Sequence, residues 1–99
     1  MSYLVFCEDS VTAEELRQIH LLEHLNYIES IVEKIFVAGP TTKTADSCGG
    51  SCFIYSTDDL ETAQSLLRND PYHANGVYKT CTFVNFVPAA GTWIGGVTW

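Results

Sequence analysis

His24 and Asp70 are the two residues from which proton-transfer chemistry could be built in this chain. His24 falls on the apolar side of a segment with helical spacing, where burial favours a neutral imidazole and a neighbouring acid favours a charged one. Asp70 stands directly before Pro71, which disfavours the α conformation at the preceding residue and so restricts the backbone that carries the carboxylate. A carboxylate beside a histidine holds one ring nitrogen as a donor and selects the tautomer. It also stabilises the imidazolium once the other nitrogen has taken a proton. Together the pair would act as a general base. Each residue also has a structural reading, as a histidine satisfied in the core and an aspartate bonding nearby amides in a turn.

Three further residues are candidates to bind a substrate beside that pair. His20 lies one helical turn before His24 and could flank the same cleft, and His73 follows Pro71-Tyr72 in the connection to a later strand. Tyr72 offers a ring to stack on an aromatic substrate and a hydroxyl to bond to a substrate oxygen. Four cysteines, Cys7, Cys48, Cys52 and Cys81, are read as free thiols. Cys48-Gly-Gly-Ser-Cys52 lacks the second ligand pair of a tetrahedral zinc site, so no metal is expected. The chain has no nucleophile elbow, no phosphate-binding loop and no dinucleotide fingerprint, which leaves cofactor-independent chemistry on a small molecule.

The elements that must position these residues follow from the pattern. Tyr3–Cys7 reads as a strand. Thr12 and Glu15 form a capping box, with Val11 and Leu16 as its hydrophobic staple, and a helix should start there. Leu16, His20, Leu21, Leu25, Tyr27, Ile28, Ile31 and Val32 share its apolar half, whereas Ile19 and Leu22 fall on the polar one. Ile35–Ala38 is a second strand stopped by Gly39-Pro40, residues 41–51 a Gly-containing loop, and Phe53–Tyr55 a third strand. Asp58 and Glu61 cap a second helix that must end near Asn69, ahead of Pro71. Asn75-Gly76 is a turn, and Val77–Val87 a long strand ended by Pro88.

The order βαββαβ is the split βαβ arrangement, which predicts an α+β, ferredoxin-like domain over residues 1–88. Its four strands form an antiparallel sheet with two helices on one face, and packing those helices side by side would let Asp70 reach His24. Residues 89–99 form a tail, rich in glycine and carrying Trp93 and Trp99, suited to lie over a pocket or a neighbouring subunit.

Bulk composition narrows the partners. With 99 residues, 46% of them apolar, there is material for one core, and a small sheet with an open apolar face gains by covering it with a second copy. A net charge of -7 with five basic residues spread along the chain excludes a phosphate-neutralising stripe and hence nucleic acid. No apolar run reaches the roughly 18 residues needed to span a bilayer, and the N-terminus has no signal-peptide pattern, so no membrane association and a cytoplasmic location are expected.

His24-Leu25, Ala38-Gly39-Pro40, Ala63, Asp70-Pro71-Tyr72 and Gly76-Val77-Tyr78 together resemble the YCII-related family of the dimeric α+β barrel superfamily, over about residues 1–88. The resemblance implies a homodimer whose sheets face each other as a barrel, with a cleft in each subunit holding a His-Asp dyad at His24 and Asp70. It also implies an activity to expect. That activity is cofactor-free elimination of HCl from a chlorinated, hydroxylated aromatic ring, a lyase reaction giving a quinone. Proton-transfer isomerisation of the muconolactone type and non-catalytic binding of a small molecule are the alternatives. The Cys-Gly-Gly-Ser-Cys loop and the tail depart from the family pattern.

Overall fold

The sheet is built by alternation: in β1 (Ser2–Asp9), Val5 and Cys7 are fully buried on one side, while Phe6 between them is exposed on the other. The computed structural model describes residues 2–46 and 48–98, so Trp99 of the tail and Ser47 of the loop lie outside the described residues. β1 is flanked by β3 (Gly50–Tyr55) and β4 (Tyr78–Phe86), and β2 (Ile35–Thr41) completes the antiparallel order β2-β3-β1-β4. This is the ferredoxin-like sheet expected from the pattern. β2 and β3 run longer than the sequence suggests. Gly39-Pro40 does not stop β2, because β2 is an edge strand on which a proline costs no ladder bond, and Pro40 pairs with Ser51. Gly50 and Ser51 accordingly belong to β3 instead of the loop.

In β4 the register slips between Glu8/Thr80 and Asp9/Tyr78. The extra residue lets Tyr78 face the same side as Cys81 and Phe83, three and five positions on, and all three pack against the core. Ile31, Ala63, Leu66 and Leu67 from the helices close that core over Val5, Cys7, Phe53 and Tyr55.

The helical layer has four pieces instead of two. The first helix breaks at His20 (φ -106°, ψ 13°) into α1 (Ala13–Ile19) and α2 (Leu21–Ser30), followed by a 3-10 turn at Val32–Lys34. The expected cap is not made: Thr12 forms no side-chain bond to the helix, and Val11 is fully exposed instead of stapled to Leu16. The next helix, α3 (Leu60–Arg68), is capped one residue later than expected, by Asp59, whose Oδ2 accepts from the Thr62 amide and hydroxyl. These two bonds hold the Asp59 carboxyl below its ordinary range. A short helix missed in the sequence, α4 (Pro71–Ala74), follows at once with Asp70 as its cap. Gly76 then turns the chain at φ 81°, a conformation that favours glycine.

The tail folds back as a small hairpin, β5 (Ala90–Gly91) with β6 (Gly96–Val97). Trp93 and Ile94 border a groove of about 380 Å³ with Phe36, Ile54 and Phe86 on the sheet face away from the helices. Among the described residues, the tail therefore does not line the cavity beside His24.

Candidate active site

His24 and Asp70 meet. Pro71 at the first position of α4 leaves Asp70 extended (φ -71°, ψ 125°), and the completely buried Asp70 Oδ1 accepts the Tyr72 amide at 2.9 Å. The same oxygen lies 2.7 Å from His24 Nδ1. One face of the imidazole is fixed by Tyr72, whose ring is parallel to it (3°) with centroids 3.7 Å apart. With Nδ1 held by a carboxylate, the proton on that nitrogen points at Asp70, and Nε2 is the nitrogen left to act as a base. Asp70 Oδ2 is buried with no hydrogen-bond partner among the described residues.

His24 lines a cavity of about 320 Å³ between α1, α2 and the sheet, a volume suited to one small ring. Leu21, Leu25, Ile28, Ala38 and Phe53 make most of its wall. This explains why Leu21 and Leu25, on the apolar half of the helix, are nonetheless half-exposed: they face a hollow instead of packed core.

The polar end of the cavity is Arg17, a residue sequence reasoning passed over although it lies seven positions before His24 on the same helical face. Its Nε and Nη2 donate to the two Asp9 carboxylate oxygens at 3.3 and 2.9 Å. Nη2 donates also to the Gly50 carbonyl (3.0 Å) and Ser51 Oγ (3.1 Å). The guanidinium carbon lies 5.2 Å from the Tyr72 ring centre and 5.8 Å from that of Tyr78. Burial works against the Arg17 charge, but the Asp9 carboxylate outweighs it and raises the pKa above its ordinary value. Burial likewise pushes up the Tyr72 and Tyr78 hydroxyls, which stay protonated donors, to the Arg17 carbonyl (3.2 Å) and to Ser51 Oγ (2.8 Å).

Gly50 makes this wall possible. A Cβ at that position would lie 1.8 Å from the Cys7 carbonyl oxygen, backbone against backbone, with no flexible side chain to give way. Gly50→Ala should therefore destabilise the domain by about 3 kcal/mol, the upper end for overpacking, and lower Tm by roughly 10 °C or more. Thermal unfolding followed by circular dichroism checks this, and an unchanged Tm would show that β1 and β3 are not pressed together there.

The remaining sequence candidates fall elsewhere. His20 sits at the helix break with Nδ1 3.7 Å from Glu23, and neither it nor His73 lines the cavity. Tyr72 does line it, and one face of its largely buried ring is stacked on His24 while its hydroxyl donates to the Arg17 carbonyl, so it holds the histidine in place. The four cysteines are free. Cys48 Sγ donates to Glu8 Oε2 at 3.6 Å, while the hydrogen bond with the Cys81 thiol and burial push the Cys7 thiol far up. No helix among the described residues is long and apolar enough to cross a membrane.

No curated protein matches the chain. Among solved structures it is similar to 5-chloro-2-hydroxyhydroquinone dehydrochlorinase from Burkholderia phenoliruptrix in complex with 2,5-dihydroxybenzoquinone. The TM-score is 0.76 at 27% identity, over 93% of this chain and 97% of that one. Residues 1–87 match the YCII-related domain. With that match spanning nearly all of the sheet and helices, the chain belongs to the YCII-related family.

Proposed function

We propose that the protein is a cofactor-independent lyase that eliminates HCl from a chlorinated hydroxyhydroquinone, with His24 as general base and Asp70 as its supporting carboxylate. The observation that carries this reading is the 2.7 Å contact of His24 Nδ1 with a buried carboxylate, at the wall of a cavity of one-ring size. The similar dehydrochlorinase, which was solved with a dihydroxybenzoquinone, supports the substrate class.

The substrate reacts as its keto tautomer, in which the carbon bearing chlorine is sp3. His24 Nε2 takes an acidic proton from the ring system, and the electron pair left behind moves through the ring to expel chloride. The C–Cl bond breaks, a ring double bond forms, and the products are a hydroxyquinone, H⁺ and Cl⁻. No oxidant or reductant is consumed, so the reaction balances without a redox cofactor. Asp70 stabilises the imidazolium until the proton passes to water.

Purified protein incubated with 5-chloro-2-hydroxyhydroquinone should release one chloride per quinone formed, read by a chloride electrode and by the ultraviolet spectrum. Quinone appearing no faster than in buffer would end this reading, and proton migration in a lactone without chloride release would replace elimination by isomerisation.

The working unit we propose is a homodimer. Phe6, Val84 and Phe86 leave the sheet face opposite the helices apolar and exposed, and a second copy packed there would complete a barrel.

A further inference from the structure

We propose that Arg17 and Ser51 form an oxyanion anchor that selects single-ring substrates carrying an ionised oxygen, a phenolate or the enolate-like oxygen of a hydroxyquinone. This deepens the reading above and rests on it.

The hydrogen-bond donors on the cavity wall are not all spent on the protein. Arg17 spends Nε and Nη2 on Asp9, Gly50 and Ser51, and among the described residues its third nitrogen, Nη1, has no protein acceptor. Nη1 lies on the guanidinium edge away from Asp9, and Arg17 is part of the cavity wall. Ser51, only 6% exposed, also lines the cavity. Its Oγ already accepts from Arg17 Nη2 and from the Tyr78 hydroxyl, so its own proton is left to donate. Two unspent donors thus belong to the wall of a hollow that is, His24 and Tyr72 aside, apolar, and among the described residues no carboxylate lines it to take them. Once a ring displaces the water at that wall, a charged acceptor satisfies such donors best.

The anchor is also rigid. Asp9 clamps one edge of the guanidinium, the Tyr72 and Tyr78 rings lie within 6 Å of it, and Gly50 keeps Ser51 close against β1. A planar fork held in this way gives directed bonds that a lysine ammonium at the same place would not reproduce. An oxygen bound there would leave the rest of the ring among Leu21, Leu25 and Phe53, on the same wall as His24.

The test measures binding without turnover. 2,5-Dihydroxybenzoquinone, ionised at neutral pH, and hydroquinone, neutral at the same pH, are titrated into wild type, Arg17→Gln, Arg17→Lys and Ser51→Ala by calorimetry. Melting curves establish that each variant is folded. Arg17→Gln and Arg17→Lys should each weaken dihydroxybenzoquinone binding about tenfold or more, and Ser51→Ala about threefold or more. Hydroquinone affinity should change less than about twofold. If Arg17→Gln does not fold, Arg17→Lys and Ser51→Ala decide. Folded variants that bind the anion as the wild type does, or that lose both ligands equally, overturn the anchor and leave the lyase reading to the chloride assay. A wild type that binds neither ligand overturns both.

Discussion

His24→Ala should lower the rate of chloride release by about 10²–10⁴-fold, the usual contribution of a positioned general base. The loss should fall on kcat, because the cavity proposed to bind the ring is made mostly by Leu21, Leu25, Ile28 and Phe53, which the substitution leaves in place. The fold should survive, since Asp70 Oδ1 keeps its bond to the Tyr72 amide when the imidazole is gone. Stopped-flow spectroscopy of quinone formation, with melting curves for both proteins, makes the measurement. Added imidazole should restore part of the rate by filling the space beside Tyr72. Undiminished turnover in the folded variant would remove His24 from the reaction.

Asp70→Asn separates the carboxylate's chemical task from its structural one. An asparagine has the same shape and can still accept the Tyr72 amide through its carbonyl oxygen, while its NH2 takes the place of an Oδ2 that has no partner to lose among the described residues. The variant should therefore fold. It has no charge with which to support an imidazolium, and kcat should fall about 10²-fold or more with little change in KM, because Asp70 lies behind His24 and outside the cavity wall. In the proposed mechanism the two residues act as one unit, so the double variant His24→Ala/Asp70→Asn should be barely slower than His24→Ala alone. Losses that multiply instead would mean that Asp70 acts independently of the histidine.

The strand pattern and the His24–Asp70 meeting were legible because both rest on strong signals: β-branched and aromatic runs between glycine and proline turns, and Pro71 restricting the residue before it. What was not legible depended on tertiary context. Gly39-Pro40 reads as a stop signal, yet on an edge strand it stops nothing. Thr12 and Glu15 have the right spacing for a capping box, but the helix starts without it, with the Ala13 amide bonded to Ser10 instead. The break at His20 has no proline or glycine to announce it. Arg17 was missed because an arginine on an amphipathic helix reads as solvated surface until Asp9, Ser51 and Tyr78 are seen to converge on it from three strands. The seven-residue spacing to His24 was the available clue. Tyr72 was seen as a chemical residue, but whether its ring faces a ligand or the histidine depends on the packing of α4 against α2.

Asp70 Oδ1 serves two donors at once, the Tyr72 amide and His24 Nδ1. A capping side chain at position 70, aspartate or asparagine, is consequently required whether or not the site is catalytic, because a short helix beginning with proline still needs its cap. A capping residue there would thus say little about activity by itself, whereas loss of the imidazole partner would mark a site turned to other uses.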